Sequence, residues 1–565
     1  MKRFIKNFGF VFLLLAVSVS CEDFEEINEN PKAFTAEEVS AQYFLTGVQI
    51  RLYAPDRYPY WRAHLIHTDR YAGHFTFGFN GSWWADNLGY NYSGGYTDAS
   101  FDWLNSYVNL LNSYMDFVEP GGLLENERYY AIGLIMKGLY YQMFTDTFGM
   151  IPYTQVGDPD ISLPVFDSQA TIYQGIINDL NQAMTLIGSA STTEDDAALS
   201  LSSNDVFFNG DLQKWKKLAN TLKLRIALRA QGASGASFAD TAIGEAIQGE
   251  LLANESDNAL MAKDTEISQW ANACYGDVWY NFGTGSNWNV GKTLIDYLRD
   301  NNDPRLSKYA RPIDGGEVTF TKPAEGTGAA NFDKYVNFIL GELDNAGVLY
   351  TRVDNTDNVV ISITPGAYYV GQPTRLNGDI YSQVKEALFS RPGDIVINPK
   401  NQGKQIFPEI VSTSAEGNFL KAEAIVKGFG SGDAQVLYQE GLRQAMKMWG
   451  VADGEINTFL ANEDMALLNG TTDENLEKIA VQRWIATYTD GFEAWSIVRD
   501  TGYPTELAQG VSDFDIYASG DLNGDYPQRM RYGSAVYNTN EANAQAANNA
   551  QGPDVQGTKL WWAKQ

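Results

Sequence analysis

The 565-residue sequence is short of cysteine, histidine and positive charge, and each shortage removes a class of answer. Two Cys, Cys21 and Cys274, cannot build a disulfide framework or a cysteine-rich zinc module. The 41 Lys and Arg face 70 Asp and Glu, a net charge of −29, which repels phosphate backbones and excludes nucleic acid as a partner. No Gly-x-Ser-x-Gly elbow, phosphate-cradling glycine loop or His-Glu-x-x-His pattern occurs. So many carboxylates always supply some pair, but sequence does not give the separation of about 5 to 9.5 Å that glycoside hydrolysis needs. They read as solvated surface, and the chain reads as a non-enzyme. Aromatic residues, by contrast, are abundant: 13 Trp, 32 Tyr and 29 Phe make up 13% of the chain, more than burial alone demands.

Long apolar runs are also missing. The longest, Phe8 to Val19, would rise only about 18 Å as a helix, too short for a bilayer. Lys2, Arg3 and Lys6 precede it and Ser18-Val19-Ser20-Cys21 follows, so residues 1–20 read as an export signal. The small residues before Cys21 resemble a bacterial lipobox, which makes Cys21 the expected lipidation site. The mature chain then carries 38 cations against 70 acids, or −32, and Cys274 as its single unmodified thiol. Acyl chains at about 0.8 kcal/mol per buried CH₂ anchor it stably. Residues 21–34, which hold Glu22-Asp23-Phe24-Glu25-Glu26, form an acidic tether similar to the surface-export signals of Bacteroidota lipoproteins.

From residue 35 to 565 no Pro/Ser-rich linker divides the chain, so one domain is expected. Apolar spacing predicts helices over 127–148, 206–231, 416–428, 433–449 and 474–498, the third and fourth forming a hairpin around Gly428-Phe429-Gly430-Ser431-Gly432. The expected class is mostly α, with tetratricopeptide-like hairpins and a loop-rich face, although no 34-residue period is readable. Segments 73–101, 264–291, 310–415 and 500–565 read as loops, with short strands at 317–320 and 359–363.

The loops hold the candidate site. Residues 71–107 contain twelve aromatics, among them adjacent Trp83 and Trp84 within Phe79-Asn80-Gly81-Ser82-Trp83-Trp84-Ala85-Asp86-Asn87. Two neighbouring indoles among turn formers cannot both face one core easily, and an exposed indole stacks on the C–H face of a pyranose while Asn80, Asp86 and Asn87 bond its hydroxyls. A second cluster offers Trp279 and Trp288 as platforms and Tyr275 beside them, whereas Trp215, Trp484 and Trp495 fall on helices and are assigned to the core. His64, His67 and His74 have a spacing that could ligate zinc, but with no Cys nearby and no fixed carboxylate partner, packing or ligand contact is the preferred reading. Asp521-Leu522-Asn523-Gly524-Asp525 offers oxygens to calcium, yet it lacks a closing Glu and reads first as a turn, so no cofactor is assigned.

A resemblance now carries further. Asn28-Glu29-Asn30-Pro31, Thr145-Asp146-Thr147-Phe148-Gly149-Met150-Ile151-Pro152-Tyr153, and Asn209-Gly210-Asp211 leading through Trp215 and Leu224-Arg225 to Arg229 resemble the SusD/RagB family. So do Asp303-Pro304-Arg305, Phe419-Leu420-Lys421-Ala422-Glu423-Ala424, Gln482-Arg483-Trp484, Gly491-Phe492-Glu493-Ala494-Trp495, Arg499-Asp500-Thr501-Gly502-Tyr503-Pro504 and Pro527-Gln528-Arg529-Met530. The SusD-like, starch-binding-associated branch is the nearest. The resemblance implies four tetratricopeptide-like hairpins that cradle a SusC-like TonB-dependent transporter in the outer membrane, with ligand held on the opposite face at the cell surface. It also implies ligand contact from the corresponding loops, including Tyr369 in Tyr368-Tyr369-Val370-Gly371-Gln372-Pro373. The expected function is capture of an oligo- or polysaccharide for uptake. Peptide capture, as on the RagB side, is the alternative, and a helical glycosidase stands third.

Overall fold

Helices arise where the sequence supplies both a cap and an apolar stripe. In the computed structural model, which describes residues 41–55, 57–77, 89–191, 204–263, 275, 288–397 and 407–563, the principal helices follow in chain order. They are α1 (Ala41–Tyr53), α2 (Arg57–Ala63), α3 (Gly94–Val118), α4 (Glu127–Phe148), α5 (Gln169–Ile187), α6 (Leu212–Ala230), α7 (Ala239–Ala246) and α8 (Lys292–Asp300). After these come α9 (Phe332–Asn345), α10 (Ser414–Val426), α11 (Ala434–Met448), α12 (Thr472–Ala486), α13 (Gly491–Thr501) and α14 (Glu541–Gln551). The Asn126 side chain accepts the first amides of α4 and Asp211 those of α6, the capping the sequence advertises. Among the described residues α4–α5, α6–α7, α10–α11 and α12–α13 pack as four successive helical hairpins. The mostly α class expected from the sequence is the class observed.

Several sequence expectations change. The helix expected over 474–498 is two helices, because Thr489 adopts a left-handed φ of 77° and the Asp490 carboxylate accepts the Glu493 amide to start α13 afresh. The segment 310–415, read as loop with short strands at 317–320 and 359–363, has those strands as β6 (Glu317–Thr321) and β8 (Asn358–Ile363), and adds α9 and β7 (Tyr350–Asp354) to give a three-stranded antiparallel sheet in the order β6, β8, β7. Val318 and Phe320 alternate inward on β6 and pack with Val359 and Ile361 against Val336, Ile339 and Leu343 of α9, a satellite core of its own. The start of α3 lies within the expected loop 73–101, and α14 lies within the expected loop 500–565. Short ribbons join the remaining strands: β1 (Phe75–Phe77) with β5 (Trp288–Val290), β2 (Ile151–Pro152) with β3 (Phe166–Asp167), and β4 (Ala259–Met261) with β9 (Glu409–Ser412).

Buried charges tie the hairpins together. Arg225 on α6 meets Glu416 on α10 at 2.5 Å, while Arg229 reaches Asp146 on α4 at 2.7 Å and Glu493 on α13 at 2.5 Å. Arg483 on α12 pairs with Glu423 on α10 at 2.7 Å. Asp146 also accepts from the Tyr173 hydroxyl of α5 and the Trp562 indole N–H. Each of these ions is compensated, which is the condition for charge in a core. Trp215, Trp484 and Trp495 are buried as expected, each indole N–H donating to a protein oxygen. Among the described residues no helix is long and apolar enough to cross a membrane.

Candidate functional site

The ribbon of β1 and β5 organises the face that the sequence singles out. Its antiparallel register sets Phe75 against Val290, Thr76 against Asn289 and Phe77 against Trp288. The chain therefore leaves Phe77 toward segment 78–88 at the point where it arrives at Trp288 from segment 276–287. The two tryptophan-bearing segments are anchored on paired residues about 5 Å apart, although more than 200 positions separate them.

The third segment joins the same ribbon. Gly291 and Gln372 form a parallel bridge, the Gln372 amide donates to Val290 O at 3.0 Å and the Lys292 amide to Gln372 O at 2.9 Å. The buried Asn289 side-chain amide donates to Gln372 Oε1 at 2.6 Å. Such close backbone approach needs glycine: a Cβ on Gly291 would lie 2.0 Å from Gly73 O, and one on Gly371 2.4 Å from Lys292 Cα. Segments 78–88, 276–287 and Tyr368–Pro373 thus share one structural root.

The far end of segment 78–88 is fastened to the turn at 519–525. Buried Tyr90, at φ 62°, donates from its hydroxyl to Arg70 O at 3.0 Å, and the Arg375 guanidinium stacks 4.7 Å from its ring centre. Arg375 in turn donates to the carbonyls of Gly524 and Asp525 at 2.6 and 2.9 Å. The Tyr92 amide donates to Asp521 Oδ2 at 2.8 Å. Of the side-chain oxygens offered to calcium, Asp521 Oδ2 is engaged by a protein donor. Among the described residues no group of three or more His, Cys, Asp and Glu is gathered as a metal site.

The predicted site residues divide. Trp83, Trp84, Trp279, Asn80 and Asn87, and the lipidation site Cys21, lie outside the described residues. Trp288 is a correction: it sits in β5 with 2% of its surface exposed, facing the core rather than a ligand, because the strand begins where the sequence suggested loop. Tyr275 is another. It is buried between Tyr60 and Phe75, and its hydroxyl lies 3.0 Å from Asp69 Oδ2 and 2.9 Å from Thr489 O. Tyr369 remains half-buried beside Val370, its hydroxyl pKa raised by partial burial. Of the twelve aromatics in 71–107, Tyr71, Phe75, Tyr90, Phe101, Trp103 and Tyr107 belong to the core.

The histidines pack separately. His64 stacks on Tyr60 at 4.4 Å, His67 Nδ1 donates to Arg62 O at 2.6 Å, and His74 Nε2 donates to Trp484 O at 3.1 Å. Burial lowers their pKa values to about 3, 4 and 3 respectively, so all three are neutral core residues. A π-helical turn, His64–Thr68, interrupts the helix that begins with α2 and rotates the two rings toward different neighbours, which simple helical spacing could not show. Asn289, Gln372 and Arg375, which fix the site's frame, carry no local signal in the sequence.

Comparison with known proteins agrees with this architecture. A SusD-like family model, described as starch-binding associating with outer membrane, matches residues 35–337 and 364–533. A solved structure named as a chitin-binding protein is 24% identical, with TM-score 0.69, over 93% of this chain and 100% of that one. A SusD homolog from Bacteroides uniformis gives 21% identity and TM-score 0.71 over 94% and 100%. A SusD-like protein from Bacteroides thetaiotaomicron gives 22% and 0.66 over 93% and 99%. At such identities the structures speak for the fold alone. No match was found among the curated proteins. The family model spans most of the chain and the hairpin architecture agrees with it: the chain belongs to the SusD-like family.

Proposed function

We propose that the protein captures an oligosaccharide at the outer face of the outer membrane, held there by lipid on Cys21, and passes it unchanged to a SusC-like TonB-dependent transporter. The observation that carries this reading is the common root of the aromatic segments. Because Phe77 pairs with Trp288 and Gln372 bridges Gly291, the segments holding Trp83, Trp84 and Trp279 and the half-buried Tyr369 start from one ribbon. Flat aromatic rings suit the apolar faces of successive sugar rings, and asparagine side chains such as those of Asn80 and Asn87 suit their hydroxyls. Family membership supports nutrient binding, and a structural relative is named for binding chitin, itself a neutral glycan.

The test is isothermal titration of the full chain against neutral oligosaccharides, including α-glucan and chitin fragments, beside Trp83→Ala, Trp84→Ala and Trp279→Ala. Loss of one stacking partner is expected to cost about 1 to 3 kcal/mol, or roughly fivefold to 160-fold in affinity. Unchanged binding in all three would remove these residues from the site. Recovery of bound peptide rather than glycan with the purified transporter complex would overturn the glycan reading, and release of shortened products from a polysaccharide would overturn binding without turnover.

A further inference from the structure

Acid outnumbers base in this chain, and the buried arginines that tie the hairpins are matched by carboxylates, as Arg225 is by Glu416 and Arg483 by Glu423. Arg62 is not. Its guanidinium carbon lies 5.5 Å from the ring centre of Tyr58, 5.9 Å from that of Trp61 and 5.2 Å from that of Tyr96. Among the described residues it forms no ion pair, and its buried Nε has no hydrogen-bond partner. Tyr58 and Arg62 stand one helical turn apart on α2 and so share a face, with Tyr58 51% exposed and Arg62 and Tyr96 half-buried. Tyr96, in the first turn of α3, follows Gly89, where the described chain resumes after segment 78–88, by only seven residues.

Stacking against rings uses the faces of a guanidinium and leaves the in-plane N–H groups of its two Nη atoms as a fork that can donate to the two oxygens of a carboxylate or sulfate. The tyrosine faces beside it offer apolar surface to a sugar ring. A protein of net charge −29 disfavours a polyanion, so a single unpaired cation within an aromatic nest suits one acidic residue in an otherwise neutral chain. We propose that Tyr58, Arg62 and Tyr96 form a subsite for an anionic sugar residue, carrying either a uronate carboxylate or a sulfate ester. The inference rests on the capture reading and assigns it a substrate class.

A nearby arginine gives the contrast. Arg531 stacks 3.9 Å from the Tyr92 ring centre, but the Tyr92 hydroxyl lies 3.5 Å from Asp98 and its amide is bonded to Asp521. Acids therefore surround that stack, and it is a poor receptor for an anion.

The experiment titrates the full chain with a neutral oligosaccharide and with two counterparts of the same backbone, one bearing a single uronate and one a single sulfate, at low and at high salt. A charge-assisted hydrogen bond gives an expected preference of about tenfold for at least one acidic ligand at low salt, shrinking as salt is added. Arg62→Gln is expected to reduce the acidic ligands to the affinity of the neutral one, and Arg531→Gln to retain the preference. Tyr58→Ala, an exposed change that leaves folding intact, is expected to weaken the acidic ligand more than the neutral one. Equal affinity for all three ligands, or a preference that survives in Arg62→Gln, would overturn the subsite while leaving capture standing. Absence of binding to every glycan would overturn the capture reading instead, and the subsite with it.

Discussion

At the scale of single residues, Tyr275 holds one hydroxyl proton and faces two acceptors, Asp69 Oδ2 and the Thr489 carbonyl. Both hydrogen bonds exist together only when Asp69 is protonated and donates to the tyrosine oxygen. Burial pushes the Asp69 pKa up to about 8; the Tyr275 hydroxyl pulls it down and nearby Glu409 pushes it up. Between the ordinary carboxylate range and about 8, the folded chain keeps a proton that the unfolded chain releases, so this group's contribution falls as pH rises and levels off above 8. The three buried histidines act in the opposite sense below about pH 6.5, where only the unfolded chain takes up their protons. The effect of Asp69 is thus best read as a difference: the urea midpoint of Asp69→Asn minus that of the wild type is expected to rise from pH 5 to pH 8. A flat difference would mean that Asp69 is ionised in the fold. Trp288 gives a second prediction. As a fully enclosed indole it is expected to cost about 3 to 5 kcal/mol when changed to Ala, measured by urea denaturation, where an exposed platform would cost little stability.

At the scale of elements, the motifs that carried the family resemblance turn out to be the charged braces between hairpins. Asp146, Arg225, Arg229, Glu423, Arg483 and Glu493 all stand in those strings and all meet in the buried network. Scaffold was legible through the family resemblance, whereas the pairing was not: the carboxylates read as solvated surface, yet Asp146, Glu423 and Glu493 are buried and paired. Arg229→Met would leave Asp146 and Glu493 without that guanidinium, and a loss of about 3 to 5 kcal/mol is expected in the urea midpoint. A loss under about 1 kcal/mol would place the brace among weak surface pairs. Helices with a polar cap and a full apolar stripe, such as α4, were legible to their ends. The break between α12 and α13 was not, since it depends on one left-handed residue, Thr489. Nor was the β1–β5 ribbon: three residues of pairing between strands far apart in sequence leave no periodic signal, and that pairing is what separates buried Trp288 from the segments around it.

At the scale of the whole molecule, the excess of 29 negative charges must be carried largely by the surface, because the described buried network is internally paired. The surface term responds to salt and the interior does not: the screening length shrinks from about 30 Å at 0.01 M to about 8 Å at 0.15 M, while buried pairs are little screened. Like charges that repel across the folded surface are relieved more than scattered opposite pairs are weakened, so the melting temperature is expected to rise by a few degrees over that range. Affinity for a neutral glycan is expected to stay level over the same range, since ring stacking has no ionic part, while affinity for an acidic ligand at Arg62 falls. Differential scanning fluorimetry and titration on the same samples separate the three effects. A melting temperature that drops with salt would show that attractive surface pairs outweigh the net charge, and a salt-sensitive neutral glycan would show that charge rather than aromatic surface holds the ligand.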